Sequence, residues 1–295
     1  VVMTASNWKF RYSGGWKVFI DPDFDLGGGT IGIKVNSNFG GSLTNLVPGG
    51  ADMSNDVVGE YTAKLVWKLG EPYTATLIKT GDVELPEYPE AMYLVGAASY
   101  YDWHTPGEKD DALFHKIAGG GGNEGIFWKI AHLEGGQGFK FSAENWSDPN
   151  LGFADVNEYD AEGVTVSADG GDMMVDESKM YMIVLDLRND MVKVSIKEAA
   201  VHGIGPAFGG WDEPTVPFIN NHAEKTIVSP PLPTTGTIRM FADHSWIPDW
   251  WNAEFVVEND VIFYRNDSND DPPVVEGTAG QVITLHFDDN TGSID

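Results

Sequence analysis

Cysteine is absent from the 295-residue chain, which excludes disulfide staples, thiolate metal sites and thiol nucleophiles together. Basic residues are scarce: 18 Lys and Arg stand against 45 Asp and Glu, a formal net charge of −27. Attraction to nucleic acid or anionic lipid is thereby disfavoured, and a neutral or cationic partner is favoured. No apolar run approaches the roughly 20 residues that span a bilayer. The start, VVMTASNWKF, lacks an initiator Met and a charged-then-apolar leader, so a mature or trimmed polypeptide is expected.

Other absences narrow the chemistry. No His-x-x-x-His pair supports zinc hydrolysis, and no G-x-S-x-G elbow presents a serine nucleophile. Asp21, Asp23 and Asp25 in DPDFDLGGG imitate the start of a calcium loop. Leu26 falls where an EF-hand needs Gly and Gly32 where it needs Glu, which leaves room only for a looser calcium site. The run Gly119 to Gly122 has no following Lys-Ser/Thr and reads as a flexible turn, and Asn269 to Pro273 (NDDPP) reads as a loop. No cofactor or metal is expected.

Aromatic residues are plentiful at 12%, with ten Trp, so the chain has material for a packed core. Helical periodicity is rare. Short β-branched and aromatic runs alternate with Gly, Asn, Asp and Pro, which predicts an all-β protein. One unit repeats. It closes with a hairpin: YTAKLVW to YTATLI (61–78), YMIVLDL to MVKVSI (181–196), and VITLHF to Ser293-Ile294. Upstream lies a strand with a basic residue and, six or seven positions on, a Trp: Lys9 and Trp16, Lys140 and Trp146, Arg239 and Trp246. The second and third units also share an opening strand, a Gly-rich turn and a Trp, in YLVGAASYYDW (93–103) and VHGIGPAFGGW (201–211).

The predicted modules are therefore 1–83, 84–198 and 199–295. Units of about 100 residues suit a β-sandwich. The first lacks its opening strands, so it is read as truncated at its N-terminus, with natural sequence expected upstream of Val1.

These segments resemble the SusE/SusF type of outer-membrane glycan-binding lipoprotein from bacterial starch-utilisation systems. The resemblance is carried by the opening YLVG…W and GIGPAFGGW segments, the basic-strand-plus-Trp segments and the closing hairpins, and it covers nearly the whole chain. It implies tandem immunoglobulin-like β-sandwich modules held by a lipid on the extracellular face of the cell outer membrane. The anchor itself is not in this sequence. It also implies a non-catalytic protein that holds starch or a related α-glucan, near a SusC/SusD-like outer-membrane transport complex. The third unit departs from the pattern by carrying an extra pair, Trp250-Trp251, and the first by offering only Trp16 with nearby Tyr12.

A neutral pyranose presents a C–H-rich face and a hydroxyl equator, so aromatic faces beside polar side chains are the expected receptor. In the third unit Trp246 and Trp250 or Trp251 are the predicted platforms, with Arg239, Asp243 and His244 reaching hydroxyls. In the second they are Trp146, Lys140 and Asn145, with Tyr100, Tyr101 and Trp103 from the opening turn. The first reduces to Trp16, Lys9 and Arg11. Such sites bind at about 10 µM to 1 mM, and repetition adds avidity on a polymer.

The same residues admit plainer readings. A Trp recurring in a repeat also serves as core filler, Trp103 and Trp211 above all, and Lys140 and Arg239 also read as ordinary strand residues. Adjacent Trp250 and Trp251 cannot both point inward from one strand. A structural or adhesive repeat that binds a partner protein is the alternative function. A β-sandwich glycoside hydrolase is the third, since 45 acids leave room for a carboxylate pair.

Overall fold

The computed structural model describes residues 1–3, 7–12, 17–25, 31–68, 70–84, 86–117, 123–211, 215–266, 268 and 270–295, with backbone alone for 19–25 and 31–34. The chain is all-β, its strands joined by loops and short 3₁₀ turns. It divides into two compact units, Val1–Pro86 and Glu87–Asp295.

In the first unit the predicted hairpin forms: Gly59–Val66 pairs antiparallel with Thr74–Gly81, and Val2–Met3 extends the sheet. Phe10–Arg11, Asn38–Ser42 and Asn45–Pro48 make a second sheet. The core is small, built on Phe39, Leu46, Met53 and Ala75. One face of the hairpin sheet leaves Val2, Val66 and Ile78 exposed.

The second unit opens with two sheets. Met92–Val95, Gly138–Ala143, Asp172–Val175 and Val166–Asp169 form one; His115–Lys116, Ile126–Leu133, Lys179–Asp186, Lys193–Glu198 and Glu158–Asp160 form the other. Leu94, Phe139 and Phe141 meet Phe127, Ile183 and Leu185 between them. Residues 201–294 continue with a strand path from Val216–Pro217 through Val201–Ile204, Gly236–Ala242, Glu254–Glu258, Val261–Tyr264, Thr291–Ile294, Ile283–His286 and Thr226–Val228 to Ile219–Asn221.

Cross-strand register explains how the two halves of this unit join. Trp128 opposes Val184 and Ile130 opposes Met182, so these side chains share one face and Phe127, Ala131 and Leu185 the other. The first set packs into the same core as Ile238, Met240, Phe255 and Phe287 of the C-terminal half. The sheet is thus covered on both sides, which is why YMIVLDL is a continuous apolar run rather than an alternating one. Each such buried side chain contributes about 1.5–3 kcal/mol.

Several polar groups along this seam pair across it, although the buried Trp128 indole N–H has no partner. Asp288 accepts the His132 backbone N–H at 3.0 Å, Asn290 donates to Asp111 at 2.8 Å and Tyr264 donates to Asn290 at 2.7 Å. His115 stacks on Tyr264 with centroids 3.5 Å apart. Lys129, 1% exposed, donates to the Asp111 carbonyl at 2.6 Å, and burial pulls its pKa down to about 8.

Candidate functional site

The two halves of the second unit, the middle module 87–198 and the C-terminal module 199–295, repeat one local construction. Val95 opposes Lys140 in the middle module, and Ile204 opposes Arg239 in the C-terminal one. A turn then begins at a glycine and closes on a backbone bridge, Gly96 to Asp102 and Gly205 to Gly210. Both glycines have positive φ, +132° and +98°, where a Cβ is strained. The next residue in each case is Trp, and Trp103 and Trp211 are 47% and 52% exposed. The core-filler reading of both is therefore corrected: each closes a surface turn.

In the C-terminal module the second loop, 243–253, roofs the outer face of the Gly236–Ala242 strand. Ile238, Met240 and Ala242 point into the core, so Arg239 and Phe241 lie on the opposite, roofed face of the strand by the period-2 rule, both buried there. Asp249 caps the 3₁₀ turn Trp250–Ala253, its carboxylate accepting the Trp250 N–H at 2.9 Å. The cap holds Trp250 6.1 Å from Phe241 and 6.2 Å from Trp211, tilted 42° to the latter. His202, 5.6 Å from Phe241, continues the aromatic row. Beside it lies a cleft of about 410 Å³ lined by His202, Thr215, Phe241, Asp243, Pro248 and Trp250, among others. Asp243 is exposed at its rim, and His202 Nδ1 lies 2.7 Å from the Thr215 hydroxyl.

Beneath the row sits a closed charge cluster. Glu254, fully buried, is bracketed by Arg239 and by Arg265, the latter at 2.7 Å, and Asp271 lies 3.2 Å from both guanidiniums. The Arg265 guanidinium also stands 4.9 Å over the Trp251 ring. The buried Glu254 and the exposed Asp271 balance the two buried guanidiniums, which makes their burial tolerable.

Four predicted contacts are corrected by these positions. Arg239, 7% exposed, is held by Glu254 and Asp271 and does not reach outward. His244, 8% exposed, uses Nε2 on Ser195 and Nδ1 on the Trp246 N–H, and burial foremost, then Lys197, depresses its pKa to about 4. Trp246 is half-buried against the shared core. Tyr101, at 1% exposure, belongs to the middle module's core, with its phenol pushed well above the usual range by burial.

In the middle module the structure brings two loops together: the Asn145 N–H donates to the Pro106 carbonyl at 2.9 Å. Asn145 and Trp146 have φ of +55° and +58°, a left-handed pair that costs on the order of 1–2 kcal/mol per residue. That turn swings Trp146 outward to 39% exposure, on the same loop pair as Trp103 and as Tyr100 at 64%. Lys140 is half-exposed, facing away from the core occupied by Phe139 and Phe141. Trp16 and Gly119 to Gly122 lie outside the described residues, as does Asn269; the side chains of Asp21, Asp23 and Asp25 do too. Trp211, His202 and Phe241 complete the C-terminal row without having been singled out as ligand contacts. The signal for Trp211 was its match to Trp103 after a glycine turn.

A family model described as "SusF/SusE starch specific CBMs" matches residues 200–293, the module that holds the cleft. The chain is similar to SusF. Outer membrane protein SusF of Bacteroides thetaiotaomicron is 26% identical over 216 residues, 70% of this chain and 44% of that protein. The crystal structure of SusF from the same organism aligns with a TM-score of 0.61 and 26% identity, covering 70% of this chain and 47% of the other. The resemblance is borne out by all three, over 70% of the chain at most rather than nearly the whole of it, and the chain spans less than half the length of these SusF chains.

Proposed function

We propose that the chain is a non-catalytic starch-binding protein of the cell surface, holding α-glucan on two aromatic platforms, one in 84–198 and one in 199–295. The observation that carries this reading is the inclined pair of exposed Trp211 and half-buried, cleft-lining Trp250 beside a polar-rimmed cleft. Two indoles inclined to each other suit a curved glucan better than a straight one, and Asp243 and His202 supply hydroxyl partners. In the middle module Trp103 and Trp146 act as platforms, with Tyr100, Asn145 and Lys140 beside them.

Similarity to an outer membrane protein supports location at the outer membrane. Among the described residues no helix is long and apolar enough to cross a membrane, in keeping with attachment by lipid. A SusC/SusD-like transport complex is the proposed neighbour to which captured glycan passes.

The test is electrophoresis through native gels containing amylopectin, dextran or xylan, with reducing sugar assayed over a day. Retardation by amylopectin, lost in a Trp211→Ala, Trp250→Ala, Trp103→Ala, Trp146→Ala variant, is expected. Release of reducing sugar would overturn the non-catalytic reading.

A further inference from the structure

The loop that presents Trp250 is fastened to the neighbouring module. His244 Nε2 lies 2.8 Å from the Oγ of Ser195. Ser195 is fully buried in the strand Lys193–Glu198 of the middle module, and its hydroxyl donates to the Asp160 carbonyl at 3.0 Å. A hydroxyl has one proton to give. With that proton on Asp160, Ser195 Oγ accepts from His244 Nε2–H. The opposite ring nitrogen, Nδ1, accepts the Trp246 backbone N–H at 3.1 Å. The two contacts select a single neutral tautomer and leave no ring nitrogen to meet a ligand. The His244 carbonyl accepts the Ile247 N–H at 2.9 Å, and the Asp243 N–H donates to the Ala200 carbonyl at 2.9 Å. Pro248 and Trp250, on the same loop, line the cleft.

We infer that the middle module helps to build the C-terminal cleft: Ser195, acting through His244, is a positioning residue that holds the 243–250 loop where Trp250 meets the ligand. The inference rests on the glycan reading of that cleft. The corresponding loop of the middle module is closed locally, by Asn145 on Pro106 and by the Ser147 hydroxyl on the Glu144 carbonyl at 2.7 Å. The affinity of one module is thus set in part by a side chain 49 positions upstream in another.

The experiment uses the full chain and maltoheptaose as the probe, by isothermal titration. In a Trp103→Ala, Trp146→Ala background, which reports the C-terminal cleft alone, Ser195→Ala is expected to weaken binding by about tenfold, the equivalent of about one charge-neutral hydrogen bond. In the converse Trp211→Ala, Trp250→Ala background the same substitution leaves the middle module's affinity within about twofold. His244→Asn keeps an acceptor for the Trp246 N–H but is too short to reach Ser195, and it is expected to behave like Ser195→Ala.

Hydrogen exchange without sugar gives an independent readout: the Trp246 and Ile247 amides exchange faster in Ser195→Ala by roughly tenfold. Unchanged exchange and affinity overturn the inference, and so does an equal loss at both sites, which is global damage. If exchange accelerates but the cleft binds no maltoheptaose even with Ser195 intact, the staple stands and the glycan reading falls.

Discussion

The indoles of Trp211 and Trp250 lie 6.2 Å apart, centroid to centroid, inclined by 42°. Neither is held in that place by its own strand. Trp211 follows a bridged glycine turn, and Trp250 follows the Asp249 cap of a 3₁₀ turn. Trp246, four residues before Trp250, packs half-buried against the shared core. Separate outcomes follow for the three. Trp211→Ala or Trp250→Ala is expected to weaken maltoheptaose binding at the C-terminal cleft by at least about tenfold, with little loss of stability. Trp246→Ala is expected to lower unfolding free energy by roughly 3 kcal/mol. Titration calorimetry and urea denaturation on each variant check the division.

Glu254 is the hub of the charge cluster under the platform. Glu254→Ala removes the buried carboxylate that lies between the buried Arg239 and Arg265, leaving the exposed Asp271 beside them. The expected cost is about 3–5 kcal/mol, the usual penalty for stranding a buried charge. Replacing the whole group is a different matter: an Arg239→Met, Glu254→Leu, Arg265→Met triple variant is expected to be markedly more stable than Glu254→Ala alone. Urea midpoints compare them.

Acid weakens the seam. His244 is depressed to about 4, His115 well below its ordinary value and His132 below it, each with burial as the leading cause. At these three histidines the folded state therefore binds fewer protons than the unfolded state below pH 6.5. Stability is full above that value and falls as pH drops toward 4, by roughly 3 kcal/mol from His244 alone. Urea midpoints at pH 7.5, 5.5 and 4.5 check this, and His244→Asn should flatten the slope.

Salt separates stacking from ion pairing. A neutral sugar releases no counterions, so affinity for maltoheptaose is expected to change less than about twofold between 50 and 500 mM NaCl. A partner bound through the acidic surface would weaken steeply over that range.

Local signals carried the architecture. The strands 181–187 and 191–196 were legible because β-branched runs flank Arg188-Asn189-Asp190, and they pair as Lys179–Asp186 with Lys193–Glu198. The repeated basic strand was legible too, as Lys140 and Arg239 share one register. What escaped was set by distant partners. Arg239 looked like a ligand contact because Glu254, which claims it, lies fifteen residues on in another strand. His244 looked available because Ser195 belongs to another module. Trp211 looked like filler, and Trp103 read both as filler and as a ligand contact, because composition does not reveal which way a bridged turn projects its last side chain.

The most direct measurement is a ¹H–¹⁵N spectrum of the ten indole N–H groups during titration with maltoheptaose, assigned by single Trp→Phe replacements. The account requires Trp103, Trp146, Trp211 and Trp250 to shift in step with saturation, while buried Trp128 stays still. Movement confined to Trp128 and Trp246, or no movement at saturating sugar, would contradict it.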